Sequence, residues 1–525
     1  MATQVHAPTQ RRRVRRLYHI HKPSGSVQAR VQKAGPEHFG VVAVDCAKAR
    51  AKWMLADFYG TVIIEPTTLP HTKSELQEAI EQLNKTCEDH QIVDLIVVIE
   101  RTGRYHLVVE NAFTAAGCDV RVVHPFATKQ FRQPADPGNK TDDTDLAAIF
   151  RAAVNGFGLV ELPLGPVYGP LRLLARHRRD LVRKNSALRA QIRDHLNVYM
   201  PGYESAFPDL FESAVALTVA RNLGSPRAVI QAGVAGLERL LRDAGVRFQA
   251  NTLSRLLAWA DQAPNGPAES AIHQRILIAL DDDRRAKLVR IRALENDLAA
   301  LLAKTPYVLL LSICGINVVS AAEYAGEMGP IGHYPTSRAI TGRAGLYPAR
   351  YQSDQVDHAN GPLVRCANRS LRQAILTIAD NLISCNDHFR GLAHQWRQAG
   401  KAPRHSRVKV AARFCRIAFH MVAGGQVYQH PCCQQRDYIL NKLMRFHCEH
   451  STPLDQAQAT LASAVEQLPR DQYAAEAAPL ATVLQRAAAK RGRGPRSIGE
   501  VLPAILAKLE VVPVESTPSG ETNSR

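Results

Sequence analysis

The sequence predicts a mixed α/β N-terminal domain followed by a mainly α-helical remainder. Three observations predict it. Short β-branched and apolar runs recur between residues 39 and 123, separated by stretches of helical periodicity. From about residue 170 the pattern turns helical and highly charged, with Leu174, Leu181 and Leu188 seven apart. At 525 residues the chain is too long for one ordinary core, so two to four domains are expected.

Residues 1–38 are polar and basic and are expected to form a disordered arm. Its "RRRVRR" run, with Arg11, Arg12 and Arg13, suits phosphate contact. "FGVVAVDCAK" gives a β-branched strand ending near Asp45, and "AKWMLADFYGTVIIE" gives the next strands around a turn at Tyr59-Gly60. Residues 73–89 have helical periodicity. "VDLIVVIE" is a continuous apolar run of the kind found in a buried strand. "RYHLVVENAFTAAG" predicts a helix stopped by Gly117, and "CDVRVVHP" predicts another strand. "NKTDDTDLAAIF" then starts a helix with Thr141 as its N-cap. This first domain is expected to span 39–160, as layers around a mixed sheet.

Residues 161–304 form the helical region. Ile192 and Leu196 continue the leucine stripe, and "AKLVRIRALENDLAALLAK" carries a second stripe at 286–304. The two could pair as coiled-coil helices, within one chain or between chains, or pack as an ordinary bundle. A mostly helical insertion lies at about 203–283 without a legible motif. A further helical unit covers 305–400, and a C-terminal extension covers 401–525, with a disordered tail "VESTPSGETNSR".

A formal net charge of +18 and a pI of about 9.6 point to a polyanionic partner, most simply nucleic acid. No run of 18 apolar residues appears, so no membrane span is expected. The N-terminus has no apolar secretory core, and the ten cysteines are scattered. Reduced thiols and a cytoplasmic location are the expectation.

Two groups of residues suggest chemistry. Asp45 and Glu100 close strands, while Asp142 and Asp145 lie in the first turn of a helix. A spacing of three puts Asp142 and Asp145 on one face, with Asp143 expected to point elsewhere. Acids at a helix start have a plain explanation in the macrodipole. Four carboxylates at strand and helix ends go beyond it, because such ends form sites in α/β sheets. Converging carboxylates would repel unless divalent cations joined them, and Mg²⁺ (or Mn²⁺) suits hard oxygen ligands and phosphate.

The second group lies in "GLYPARYQSDQVDHANGP", read as a Gly- and Pro-rich loop between helices. Ser353 sits there near Arg350, ahead of Arg365, Arg369 and Arg372. A loop serine is ordinarily a turn residue. In a cationic setting it can act as a nucleophile, with arginines holding a phosphate. Upstream, "SICGIN" reads as a turn between helices resembling a helix-hairpin-helix, with Asn317 where a second glycine is usual. Cys432, Cys433, His447, Cys448 and His450 have zinc-like separation, yet adjacent cysteines do not bite one ion as Cys-x-x-Cys does. Buried thiols and surface histidines are the better reading.

"VAVDCAK", "VVIERTGRYH", "VVHP" and "NKTDDTDLAAI" resemble the successive blocks of the RuvC-like, RNase H-type domain of DEDD transposases of the insertion-sequence 110 family, the RNA-guided bridge recombinases. "AGLYPARYQSD…GPLVRCANRSLRQAIL" resembles the same family's α-helical C-terminal transposase domain. Asp354 and Ala367 stand where that family has glycine. The resemblance implies that Asp45, Glu100, Asp142 and Asp145 are metal ligands, that Lys48 and Lys140 are motif lysines, and that Ser353 is the catalytic serine. It implies donor and target DNA, a structured guide RNA, and a homodimer assembling to a tetramer whose protomers share sites. No nucleotide cofactor is expected, and the host would be bacterial or archaeal, with the active protein nucleoid-associated. The alternative is a RuvC-like metal-dependent junction endonuclease that uses activated water and no covalent serine. A nucleic-acid-binding protein with a decayed site is a third reading, against which all four acids are present.

Overall fold

The computed structural model describes residues 27–132, 141–160, 162–353, 356–358, 361–365, 367–428 and 436–469, with side chains omitted at 351–353, 356–358 and 436–438. It divides into two compact units, Met1–Pro163 and Leu164–Arg525.

The first unit opens with α1 (Gln28–Ala34), which corrects the expectation of an arm running to residue 38. Val27 and Val31 are buried, and Arg30 reaches both Asp94 and Asp119, so burial and charge together dock this segment. Then come β1 (Phe39–Cys46), β2 (Arg50–Asp57), β3 (Val62–Pro70), α2 (Lys73–Asp89), β4 (Asp94–Glu100), α3 (His106–Ala115) and β5 (Val120–Val123). Two more helices follow, α4 (Pro125–Arg132) and α5 (Asp142–Val154). The sheet order is β3-β2-β1-β4-β5. The first three strands are antiparallel, while β4 runs parallel to β1 and β5 parallel to β4.

Strand alternation sorts the two faces. Val42, Val44, Val97 and Ile99 pack with Leu76, Leu83 of α2 and Val109, Phe113 of α3. Val41, Ala43, Ile96 and Val98 pack with Leu146, Ile149 and Ala152 of α5. With a period of two, Asp45 follows Val41 and Ala43, and Glu100 follows Ile96 and Val98. Both acids therefore belong to the face that α5 covers.

The second unit begins with α6 (Gly165–Tyr199), followed by α7 (Ala214–Asn222), α8 (Pro226–Asp243), α9 (Ala250–Gln262) and α10 (Ser270–Ala303). The two long helices pack together within one chain and run antiparallel, since Arg178 meets Glu295 while His195 meets His273. Leu181, Leu188, Ile192 and Leu196 are buried and Leu174 is partly so, as the stripe requires. The insertion has its own core, including Tyr199, Tyr203, Val229 and Leu256.

Next come α11 (Val318–Met328), α12 (Ser337–Ala344), a hairpin of β6 (Tyr351–Ser353) and β7 (Val356–His358), α13 (Arg369–Cys385), α14 (Asp387–Gln398), α15 (Pro403–Ala423), α16 (Arg436–Glu449) and α17 (Leu454–Glu466). One hydrophobic cluster runs from Leu171 to Leu468, across the divisions drawn from sequence at 304 and 400. No described helix is long and apolar enough to cross a membrane.

Candidate active site

In the first unit the β1–β4 register pairs Val44 with Ile99, so Asp45 and Glu100 come next on adjacent parallel strands. Both are partly buried. Their charges are felt by the neighbouring Cys46, whose thiol is pushed up to about 12 by burial first and then by Asp45 and Glu100.

The first turn of α5 lies at this same end. Lys52 is the cross-strand partner of Asp45, and its Nζ stands 2.6 Å from Asp143 Oδ1. Asp143, expected off the face that Asp142 and Asp145 share, ties the start of α5 to β2. The chain builds this helix start as the sequence suggests: Thr141 caps it, accepting from Thr144 N at 3.2 Å while Thr144 Oγ1 accepts from Thr141 N at 2.9 Å. Asp142 is exposed and Asp145 is buried, where Arg132 of α4 donates to its carboxylate. Among the described residues no three His, Cys, Asp or Glu side chains are gathered as a ready-made metal cluster. The protein's own cations, Arg132 and Lys52, meet two of the three α5 acids. Sequence reading did not identify either. Lys52 was findable from β-pairing opposite Asp45, whereas Arg132 lies on a short helix that carried no clear periodic signal. Lys48 is exposed in the β1–β2 turn, and Lys140 and Arg11, Arg12 and Arg13 lie outside the described residues.

In the second unit the segment read as a loop contains the β6–β7 hairpin. Ser353 ends β6 and pairs with Val356, the first residue of β7; Asp354 lies outside the described residues. The base of the hairpin is clamped: Ala349 N donates to Pro362 O at 2.8 Å, and Val364 N donates to Tyr347 O at 3.2 Å. Arg372 completes the clamp, its Nε donating to Ala344 O at 2.8 Å and its terminal nitrogen to Val364 O. Two of the Arg372 guanidinium nitrogens are thus engaged by carbonyls. Arg350, Arg365 and Arg369 are exposed. Gly345 has φ 62°, and a Cβ there would stand 2.4 Å from the Arg372 guanidinium and 2.6 Å from the Ala367 methyl. Glycine at 345 is what leaves room for Ala367.

Asn368 caps α13 and also donates to the buried Glu327, which Arg176 grips from α6. This network was not found from sequence, since the partners of Glu327 lie 151 and 41 residues away along the chain. Asn317 caps α11 in a capping box, which accounts for it without a phosphate. His447 is buried and bonded to Thr452, and His450 contacts Glu295 at 2.7 Å, so neither is the surface histidine expected. Cys432 and Cys433 lie outside the described residues.

Comparison with known families gives the class of the protein as transposase. A transposase model of the DEDD, IS110 type matches residues 42–201, and one described as transposase IS116/IS110/IS902 family matches residues 307–394. The chain belongs to the IS110 family of transposases. No curated protein was found to match it.

Proposed function

We propose that the protein is a DNA recombinase that mobilises an insertion sequence through Ser353, with Asp45, Glu100, Asp142 and Asp145 as ligands of Mg²⁺ or Mn²⁺. The observation that carries this reading is that the two transposase matches enclose both groups, the acids within 42–201 and Ser353 within 307–394. The order β3-β2-β1-β4-β5, antiparallel and then parallel, supports the RNase H-like, RuvC-like reading of the first unit.

In this reading the Ser353 hydroxyl attacks a DNA phosphorus. The serine–phosphate bond forms as the bond to the 3′ oxygen breaks, leaving a phosphoserine ester and a free 3′-hydroxyl. The ester conserves the bond energy, so the 3′-hydroxyl of another strand can reverse the attack on a new partner without ATP. Arg350, Arg365 and Arg369 would hold the phosphate oxygens and offset charge that grows in the transition state. The all-oxygen donor set suits a hard divalent ion, which would supply charge neutralisation at the phosphate. Arg132 must then leave Asp145. A structured guide RNA and a dimer assembling to a tetramer complete the reading, and the net charge of +18 supports a polyanionic partner.

The test is incubation with Mg²⁺, cognate DNA and co-purifying RNA, followed by denaturation. A DNA–protein adduct lost in Ser353→Ala supports the recombinase. Cut ends without an adduct, unaffected by that change, would establish the junction endonuclease instead. Strand exchange that survives Asp142→Asn would remove the metal ligands from the mechanism.

A further inference from the structure

Beyond the serine hairpin, the chain becomes one-sided in charge. From His388 to Arg436 it has nine Arg or Lys and no Asp or Glu. Most of this stretch is α14 and α15, and α15 lies outside both family matches. On α15, Val410, Phe414, Ala418 and Met421 are buried in the core of the second unit. Lys409, Arg413, Arg416 and His420 are exposed. At about 100° per residue these four fall within about 60° of one another, opposite the buried face.

A merely solvated helix face mixes charges of both signs. This one does not. Arg407, on a different side of the helix, pairs with Asp380. Among the described residues Lys409, Arg413 and Arg416 have no acidic partner. Lys409 instead lies over the Trp396 ring of α14, 5.2 Å from its centroid, which holds an ammonium at the surface without neutralising it. The stripe from Lys409 to His420 is about 16 Å long at 1.5 Å per residue. That length of duplex carries roughly nine phosphates, one per ~1.7 Å of axis.

We infer that the outer face of α15 is a sequence-independent binding surface for the phosphate backbone of duplex DNA, contacted by Lys409, Arg413 and Arg416. Charge complementarity selects the occupant: three cations in a row, without an acidic partner among the described residues and spaced for successive phosphates, fit a regular polyanion. The choice of DNA rests on the proposed function, whereas the phosphate chemistry does not.

The test uses the full chain and a random-sequence DNA duplex without divalent ions, so that cleavage does not enter. The triple variant Lys409→Ala/Arg413→Ala/Arg416→Ala should bind about ten- to a hundredfold more weakly near physiological salt. The slope of log affinity against log salt should fall by roughly two to three, about 0.9 per phosphate contact. Arg413→Lys/Arg416→Lys should keep the wild-type slope, because it keeps the charges. An unchanged slope in the triple variant overturns the inference, as does a lowered slope in the lysine variant. Loss of affinity for structured RNA with duplex binding intact also overturns it. The binding assay contains no divalent ion and reads no adduct, so a failure of this inference and a failure of the serine mechanism are told apart.

Discussion

The side-chain amide of Asn368 donates to the carboxylate of Glu327 at 3.0 Å, while its own Oδ1 accepts Leu371 N at 3.0 Å. One residue thus starts α13 and fastens it to α11. Glu327 is fully buried, and Arg176 donates to both its oxygens at 2.7 and 2.8 Å. Burial opposes the charged form, but the bonds from Arg176 and Asn368 outweigh it and hold the carboxyl below its usual range. Glu327→Ala should cost about 1–3 kcal/mol, because it removes the buried acceptor that Asn368 and the half-exposed Arg176 share. Asn368→Ala should cost about 1 kcal/mol as a lost helix cap. Denaturant unfolding of both variants and the double variant checks this. The double variant should cost less than the sum, since the two residues share a bond.

His447 is 1% exposed, and its Nδ1 lies 3.0 Å from Thr452 Oγ1. That hydroxyl donates to Asn296 Oδ1 at 2.8 Å, which makes His447 Nδ1 the donor to Thr452. Burial, and then His450, pull the His447 pKa down to about 4. The unfolded histidine binds its proton near 6.5, so between about 6.5 and 4 the unfolded chain holds more protons. Stability should be level above pH 6.5 and fall as pH drops through this window. Thermal midpoints from pH 7 to 5 test it. His447→Gln should flatten the curve, and an equal slope in that variant would assign the loss to other groups.

Asp143 meets Lys52 at 2.6 Å, with the carboxylate largely exposed. An exposed pair of this kind contributes roughly 0–1 kcal/mol. Asp143→Ala should therefore unfold within about 1 kcal/mol of wild type, and under the proposed function its adduct yield should match wild type while that of Asp142→Asn drops. Loss of the adduct in Asp143→Ala would show that the pair positions α5 for chemistry.

How much of this was legible in the sequence follows from the range of the forces. The buried strand of "VDLIVVIE" and the helix over 73–89 declared themselves through local periodicity, and both lie where it placed them. Thr141 was legible as a cap because capping is a contact between near neighbours. The docking of α1 was not, because it depends on Arg30 finding Asp94 and Asp119 far along the chain. The β6–β7 hairpin was hidden for another reason: three-residue strands in a Gly- and Pro-rich setting carry too few alternations to show a period. Asp45 and Glu100 stood out as acids at strand ends, but only the parallel register puts them side by side. In the sequence Arg132 carried no reading, and Arg372 read as a phosphate contact. Folding turns the first to a carboxylate and the second to carbonyls, a distinction with no local signature.

The Arg132–Asp145 pair gives the metal reading a test that needs no turnover. Asp145 is 6% exposed, and the guanidinium of Arg132 neutralises it. Arg132→Ala should leave a buried carboxylate without its cation and destabilise the fold by about 1–3 kcal/mol. If Asp145 is a ligand, a divalent ion can take the place of the lost guanidinium. In the wild type that ion must compete with Arg132, and in the variant it need not. Ligand binding to the folded state alone raises its stability by mass action, so Mg²⁺ should raise the melting temperature of Arg132→Ala more than that of wild type. Adding Asp145→Asn to the variant should abolish the difference. A Mg²⁺ response identical in wild type and Arg132→Ala would place Asp145 outside the ion's coordination and assign its burial to the anchoring of α5 alone.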